Sequence, residues 1–264
     1  LIDLKYFDLR NNNKLSGTIP SEVESLFIRL TNNADNLFGE EEMHIGLCSS
    51  SKLVIPKSIT ELESYRETYD STCIDFDDRY ILELLFDQTN GEKWTHNDGW
   101  MTDLPLNEWY GITTNHNNRV SHIKLSDNNL EGTIPRQIGY LSELVTLVLN
   151  SNNFSNSGIP YDITYLLKLN ILEIQDSKLS GKIRDMSGNR LQTINLSMNK
   201  LTGSITDSFE RHINLKVLDL SHNYLTGSIP PAIFTDHPHL TSLLLSGNWL
   251  DGKIPYTILQ LQNL

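Results

Sequence analysis

The chain has 264 residues, of which 38% are hydrophobic and 20% are charged, and its formal net charge is -12. No apolar run approaches the 18 or so residues that a membrane-spanning helix needs. The acidity sets nucleic acid aside as a partner, because phosphate binding requires a basic surface.

The first 39 residues contain the end of a repeated pattern. One copy lies within residues 1–20, LIDLKYFDLRNNNKLSGTIP, and a degraded copy follows it up to Gly39. A terminal repeat is expected to be atypical, because it ends the stack against water. We therefore predict that residues 1–39 are the C-terminal end of a first array. Because the chain starts inside a repeat, a signal peptide would lie before Leu1.

Residues 40–72 lose the periodicity and are predicted to be an acidic linker. Between residues 39 and 78 the chain has ten acidic and three basic side chains. A solvated linker is the ordinary interpretation of such a run, and an acidic docking segment is the alternative. Within it, LCSSSKLVIPKSI, residues 47–59, has the form of a vestigial repeat.

Residues 73–119 are predicted to form a helix followed by a tryptophan-rich N-terminal cap. In DFDDRYILELLFDQTN, residues 75–90, apolar residues recur at three- and four-residue steps, which indicates an amphipathic helix. Three tryptophans follow within a short segment: Trp94, Trp100 and Trp109. We expect these rings to cover the exposed first strand of an array, and an open aromatic cage for a sugar is the alternative.

A cap that follows the end of an array implies two arrays in tandem. A single solenoid with an insertion is the alternative, but it would not need a new cap.

Residues 120–264 contain about six copies of one pattern, each roughly two dozen residues long. The first copy, VSHIKLSDNNLEGTIP at residues 120–135, follows LxxLxLxxNxLxGxIP with Val and Ile in two leucine positions. The LxL leucines alternate and so point inward from a short strand. The Asn amide can bond backbone groups that the following turn leaves unpaired, which predicts an asparagine ladder. Repeats of this period indicate a solenoid.

The LxGxIP half of the pattern resembles the plant-type leucine-rich repeat. The segment Trp109–Ile112 is similar to the Trp-x-Gly-Val that leads into the first strand in caps of that family, although Asn107 and Asn115 lie where a flanking cysteine pair is usual. The resemblance implies a right-handed α/β-type solenoid, with short parallel strands on its concave face and irregular or short helical segments opposite.

The resemblance also implies non-enzymatic recognition by a receptor-like protein, extracellular or at the cell surface. A membrane span, and a kinase domain in receptor kinases, would then follow Leu264. The alternatives are a secreted inhibitor or adaptor and, ranked last, an ice- or carbohydrate-binding protein. None of GxGxxG, GxxxxGK[ST], GxSxG or HExxH occurs, so we expect no catalytic residue, no metal and no cofactor.

The predicted ligand-binding surface is the outward face of the strands, as is common in repeat solenoids. Six strands about 4.8 Å apart would give a strip of roughly 25 to 30 Å, enough for an extended peptide. The candidate residues are Lys124, Asp127, Val148, Glu173, Asp176, Asn195, Asp219, His222 and Leu244.

The acidic middle of this strip, at Glu173 and Asp219, favours a basic or mixed-charge protein or peptide partner. Solvated side chains with no selected ligand are the alternative. Paired arginines, with which some receptors of the family hold a peptide carboxylate, are missing from these columns. Ice binding would need a regular hydroxyl array, and Asn150 and Gln175 interrupt the column of Ser126, Ser197, Ser221 and Ser246.

Two kinds of covalent modification are also predicted. Cys48 and Cys73 would form one disulfide bridge in a secreted chain. The tripeptides that begin at Asn153 and Asn195 are N-glycosylation sequons.

Overall fold

The computed structural model describes residues 77–155, 157–183, 190–205, 209 and 212–260, and only the backbone of four short strands before residue 77. The chain divides into two units, Leu1–Asp77 and Asp78–Leu264. The predicted bridge between Cys48 and Cys73 lies outside the described residues.

The first unit contains two pairs of short parallel strands. β1 (Tyr6–Asp8) pairs with β3 (His44–Gly46), and β2 (Gly17–Thr18) pairs with β4 (Leu53–Val54). Stacked repeats place equivalent segments side by side in this parallel manner. The segment predicted to be a linker thus contributes two strands, and β4 lies in its vestigial repeat. The domain limits 1–39, 40–72, 73–119 and 120–264 stay predictions.

The second unit begins with α1 (Asp78–Gln88), which confirms the predicted helix. The helix ends just before Asn90, whose φ of 62° is left-handed, and Gly91 follows it. A Cβ at position 91 would lie 2.2 Å from the Phe86 ring, so only glycine fits this close approach.

The tryptophans of the cap form an aromatic core on this helix. Trp94, Trp100 and Trp109 are 5%, 4% and 1% exposed. Ring centroids lie 5.2 Å apart for Phe86 and Trp94, 4.7 Å for Trp94 and Trp100, and 5.0 Å for Trp100 and Trp109. The predicted aromatic burial is confirmed. The open sugar cage is wrong, because no indole face is accessible to a ligand.

The strands of the second unit belong to two sheets. Their bounds are β5 (Ile112–Thr114), β6 (Val120–Lys124), β7 (Thr146–Val148), β8 (Ile171–Glu173), β9 (Ser180–Lys182), β10 (Thr193–Asn195), β11 (Lys200–Ser204), β12 (Val217–Asp219), β13 (Tyr224–Ser228), β14 (Ser242–Leu244) and β15 (Trp249–Asp251).

The first sheet has seven strands in the order β14-β12-β10-β8-β7-β6-β5. All pairs are parallel except β5 with β6, where the cap adds an antiparallel edge strand. The inward leucine positions of the repeats are buried at 1% exposure or less: Ile123, Leu147, Leu172, Ile194 and Leu218. The predicted solenoid with short parallel strands is therefore confirmed.

The second sheet, β15-β13-β11-β9, was not predicted. It is parallel and consists of the LxGxI half of the repeats. Its glycines have left-handed φ values, 82° at Gly181, 86° at Gly203 and 77° at Gly227, which other residues adopt only with strain.

Short helices are present in the repeats, as predicted, and also in the cap, where the first two 3₁₀ helices lie. They are α2 (Ala232–Thr235) and the 3₁₀ helices Gly91–Lys93, Leu106–Glu108, Arg136–Tyr140, Tyr161–Tyr165 and Tyr256–Gln260.

Candidate functional site

The asparagine ladder fixes the C-terminal ends of the first sheet's strands. Asn199 Oδ1 accepts hydrogen bonds from the backbone N–H groups of Ser177 and Leu179 in the preceding repeat, at 3.1 and 2.9 Å. Its amide donates to the carbonyls of Ile174 and Leu196, at 2.6 and 3.0 Å. One buried side chain thus satisfies backbone groups of two repeats, and the predicted ladder is confirmed.

The other repeats use the same bonds. Asn152, Asn223 and Asn248 each donate to a carbonyl of their own repeat and to one of the preceding repeat. Ser177 replaces Asn and still serves, since its hydroxyl donates to the Leu149 carbonyl at 3.1 Å and accepts from Asn152 N–H at 3.2 Å.

The first rung of the ladder docks the cap. Asn128 Oδ1 accepts from the backbone N–H of His96 at 2.7 Å, and its amide donates to the His96 carbonyl at 2.9 Å. The cap therefore offers to the ladder side chain of the first repeat a backbone N–H and a backbone carbonyl, as a preceding repeat would.

A buried carboxylate holds the start of β6 to the helix. Asp78, 4% exposed, accepts from Nε and Nη2 of Arg119 at 3.0 and 2.8 Å and from the backbone N–H of Val120. These bonds fix the N-terminal edge of the first sheet.

In five repeats the residue just before the ladder position is a non-glycine residue with a left-handed backbone. The φ values lie between 49° and 58° at Asp127, Ser151, Asp176, Met198 and His222. Three candidate residues, Asp127, Asp176 and His222, are thus at the corner of the face, where they are exposed.

The other six candidate residues form one column. The strand register aligns Lys124 with Val148, Glu173, Asn195, Asp219 and Leu244 in succession. Lys124 and Leu244, at the two ends of the column, are exposed, and the four residues between them are half-buried.

Hydrogen bonds between neighbouring strands hold the middle of this column in place. The Asn150 amide donates to Glu173 Oε2 at 3.2 Å, and Asn150 Oδ1 accepts from Gln175 N–H at 2.7 Å. The Asn195 amide donates to Gln175 Oε1 at 3.1 Å. Asp219 Oδ1 accepts from the Ser221 hydroxyl at 2.6 Å. These side chains are ordered before any ligand arrives, which lowers the entropy cost of binding.

The face has four carboxylates without a cationic partner in the described part of the chain. They are Asp127, Glu173, Asp176 and Asp219. At the opposite ends of the strands, Arg190 is exposed and Lys168 pairs with Glu143 at 2.6 Å. The described carboxylates without a cationic partner thus lie in the middle and at the C-terminal ends of the strands, and Arg190 is an exposed cation at their N-terminal ends.

One further column of the face was not predicted. The register aligns the position two residues before Lys124 with its counterparts: His122, Thr146, Ile171, Thr193, Val217 and Ser242. Side chains two residues apart on a strand share a face. The period-two rule applied to the second x of LxxL would have identified them.

The two sequons lie in different places. Asn195 is in the middle of the predicted binding column, and its Oδ1 accepts from the Ser197 hydroxyl at 2.7 Å. Asn153 lies away from that column and accepts from the Ser155 hydroxyl at 2.6 Å. Glycosylation at either residue stays a prediction.

Within the residues that the structure describes, no helix is both long enough and apolar enough to cross a bilayer.

Family models for leucine rich repeats match residues 189–250, and residues 3–26 and 119–141. Phytosulfokine receptor 1 of Arabidopsis thaliana is 33% identical over 168 residues, which are 52% of this chain and 17% of that protein. The chain thus spans a small part of the receptor.

Two solved structures are also similar. The ectodomain of the Arabidopsis receptor kinase HAESA, in complex with an N-terminally extended IDA peptide hormone, has a TM-score of 0.61 and 25% identity, covering 71% of this chain and 32% of that one. A plant ice-binding protein has a TM-score of 0.61 and 28% identity, covering 69% of this chain and 59% of that one.

Proposed function

The chain is a plant-type leucine-rich-repeat protein, similar to ectodomains of receptor-like proteins and receptor kinases, and on that premise we propose that it recognises a peptide or protein outside the cell. It binds without catalysis, and its ligand lies across the outward face of the first sheet. The ligand is extended and carries basic side chains toward the middle of that face.

The observation that carries this proposal is the pair of half-buried carboxylates at Glu173 and Asp219. Hydrogen bonds from Asn150 and Ser221 orient them, and no cation among the described residues neutralises them. A partly desolvated carboxylate attracts a cation more strongly than one in water, because the local dielectric constant is lower.

The opposite charge at the other end of the strands supports a mixed-charge ligand. Side chains of an extended peptide alternate between its two sides. A peptide that lies across the strands would direct basic residues toward Asp176 and Asp219, and acidic residues toward Arg190.

A peptide array provides the test. Twelve-residue peptides that alternate basic and acidic residues, all-acidic peptides and scrambled peptides are immobilised and probed with the 264-residue chain. We expect selective retention on the alternating and basic peptides, and at least tenfold weaker retention of the double variant Glu173→Gln, Asp219→Asn. The control Glu92→Gln, Glu131→Gln removes two exposed carboxylates elsewhere and should bind like the parent. Equal retention on all peptides, or equal loss in both doubles, would refute the proposal.

A secreted inhibitor or adaptor would use the same face, so the array does not separate it from a receptor. Sequencing the transcript beyond Leu264 does: a membrane span supports the receptor, and a stop codon soon after supports the secreted protein.

Ice binding has weaker support, although a plant ice-binding protein is similar in fold. The serine column of the first sheet is largely unavailable, because Ser197 and Ser221 are buried and their hydroxyls donate to Asn195 and Asp219. A regular array of free hydroxyls is the feature that this hypothesis requires.

A further inference from the structure

The second sheet and the turn before it carry exposed lysine and aromatic side chains. The strand register aligns Lys182 with Thr202 and Thr202 with Tyr224. The repeat position that follows the ladder residue is occupied by Lys178, Lys200, Tyr224 and Trp249 in four successive repeats. We define these four residues, together with Lys182 on β9, as the lysine-aromatic face.

The two aromatic rings of this face are open to solvent. Tyr224 is 43% exposed and Trp249 67% exposed, and their ring centroids lie 5.2 Å apart at an interplanar angle of 48°. Tyr224 keeps this exposure although it contacts the ring of the next repeat. The rings therefore face outward from the sheet, in contrast to the buried indoles of the cap.

The lysines of this face have no carboxylate partner within the part of the chain that the structure describes. Lys178, Lys182 and Lys200 are all exposed, and the register brings Thr202 beside Lys182 on the neighbouring strand. Asp251, two residues after Trp249 on β15 and on the same face, is the one carboxylate in the four strands. A cluster of unpaired cations stands out in a chain whose net charge is -12.

Small hydroxyls lie between these groups. On β11 and β13 the burial alternates, so that Thr202, Ser204, Thr226 and Ser228 are exposed while Leu201 and Leu225 point inward. Exposed hydroxyls offer both donors and acceptors to a ligand.

We propose that the lysine-aromatic face binds an acidic polysaccharide, a chain of sugar rings that bear carboxylates. The C–H face of a sugar ring stacks on an exposed aromatic ring, as Tyr224 and Trp249 permit. Uronate carboxylates pair with the lysine ammonium groups, and the Thr202 hydroxyl hydrogen-bonds the sugar hydroxyls. The Thr226 hydroxyl, which donates to the Gly203 carbonyl at 3.4 Å, accepts from them. The face covers the three strand spacings from β9 to β15, about 15 Å, which suits a few sugar units.

The charge of the face distinguishes this ligand from a neutral glucan. Stacking and hydroxyl bonds would serve either ligand, but three unpaired lysines favour only the anion. The site is separate from the peptide-binding face, because it belongs to the other sheet.

Titration calorimetry tests the proposal. The probe is an oligogalacturonide of defined length, and a cello-oligosaccharide of equal length is the neutral control. We expect the acidic oligomer to bind with an affinity that falls as salt rises, and the neutral one to bind at least tenfold more weakly. Trp249→Ala should weaken binding of the acidic oligomer at least tenfold, and Trp249→Phe should retain most of the affinity.

Charge variants complete the test. Lys182→Gln, Lys200→Gln should lower both the affinity and its salt dependence, whereas Lys93→Gln, Lys216→Gln, two exposed lysines off this face, should bind like the parent. Thermal unfolding curves that match the parent show that each variant is folded. Absence of binding, equal binding of the neutral oligomer, equal loss in both lysine doubles or full affinity in Trp249→Ala would overturn the proposal.

Discussion

The two sheets of the second unit are formed by the two halves of the repeat, and their outward side chains have different hydrogen-bonding surroundings. On the first sheet, Glu173, Asn195 and Asp219 are bonded to neighbouring strands or to their own strand end. On the second sheet, Lys200 and Trp249 extend into solvent. A column of short polar side chains forms a cross-strand network, because adjacent strands are within hydrogen-bonding reach. Long or aromatic side chains form no such network, so they remain accessible to a ligand.

Removing a ladder asparagine should disturb both sheets at once and have the largest effect. Asn199→Leu removes the acceptor of the buried N–H groups of Ser177 and Leu179 and the amide donor of the Ile174 carbonyl. The carbonyls of Leu196 and Ser197 keep a donor each, from Asn223 and Asp176. We expect a loss of about 3 to 5 kcal/mol in the free energy of unfolding, measured in urea. Asn199→Ser should lose clearly less, because Ser177 already performs this role one repeat earlier.

The matched control is Asn153→Leu, at a half-exposed position outside the ladder. Its change should stay within about 0.5 kcal/mol. Equal losses in the free energy of unfolding for the Asn153 and Asn199 variants would show that the ladder hydrogen bonds contribute nothing specific to stability.

Removing the carboxylate of the cap should affect the first sheet alone. Asp78→Ala removes the hydrogen bonds that this carboxylate accepts from Arg119 and from the N–H of Val120, at a cost of about 2 to 3 kcal/mol. Hydrogen exchange should show faster exchange in β5 and β6 and unchanged protection in β11 and β13. Asp103→Ala, an exposed carboxylate of the same cap, is the control, and uniform loss of protection across both sheets would contradict this separation.

Removing the backbone strain at Met198, which lies between the two sheets, should increase the stability of the protein slightly. Met198 has a φ of 58°, which asparagine adopts more readily than methionine. Met198→Asn should stabilise the protein by about 0.5 to 1 kcal/mol in thermal unfolding. Leu167→Asn, at an exposed residue without positive φ, should give no gain; a gain of the same size there would assign the effect to polarity.

The sequence predicts well what the repeat period dictates. The inward leucines, the asparagine ladder and the column from Lys124 to Leu244 follow from period two within a strand and from repetition along the chain. The helix at residues 78–88 follows from its three- and four-residue steps.

The sequence does not predict features that depend on side-chain exposure or on local backbone geometry. The second sheet was missed because a glycine such as Gly203 signals a turn, although here it lies within a strand at a φ of 86°. Trp94 and Trp249 are the same residue type, yet one is buried in the cap and the other is exposed. Nothing local in the sequence separates them, since burial depends on which elements stack above each ring.

The bond between His96 and Asn128 has a consequence for how such proteins can change in length. At this junction between the cap and the first repeat, the cap contributes only the backbone N–H and carbonyl of His96. The side-chain amide of Asn128 makes no use of the histidine side chain. Any repeat with an asparagine at that position could occupy the place after the cap. Duplication or deletion of a whole repeat would then leave the junction intact, so the binding surface can be lengthened or shortened in steps of one strand.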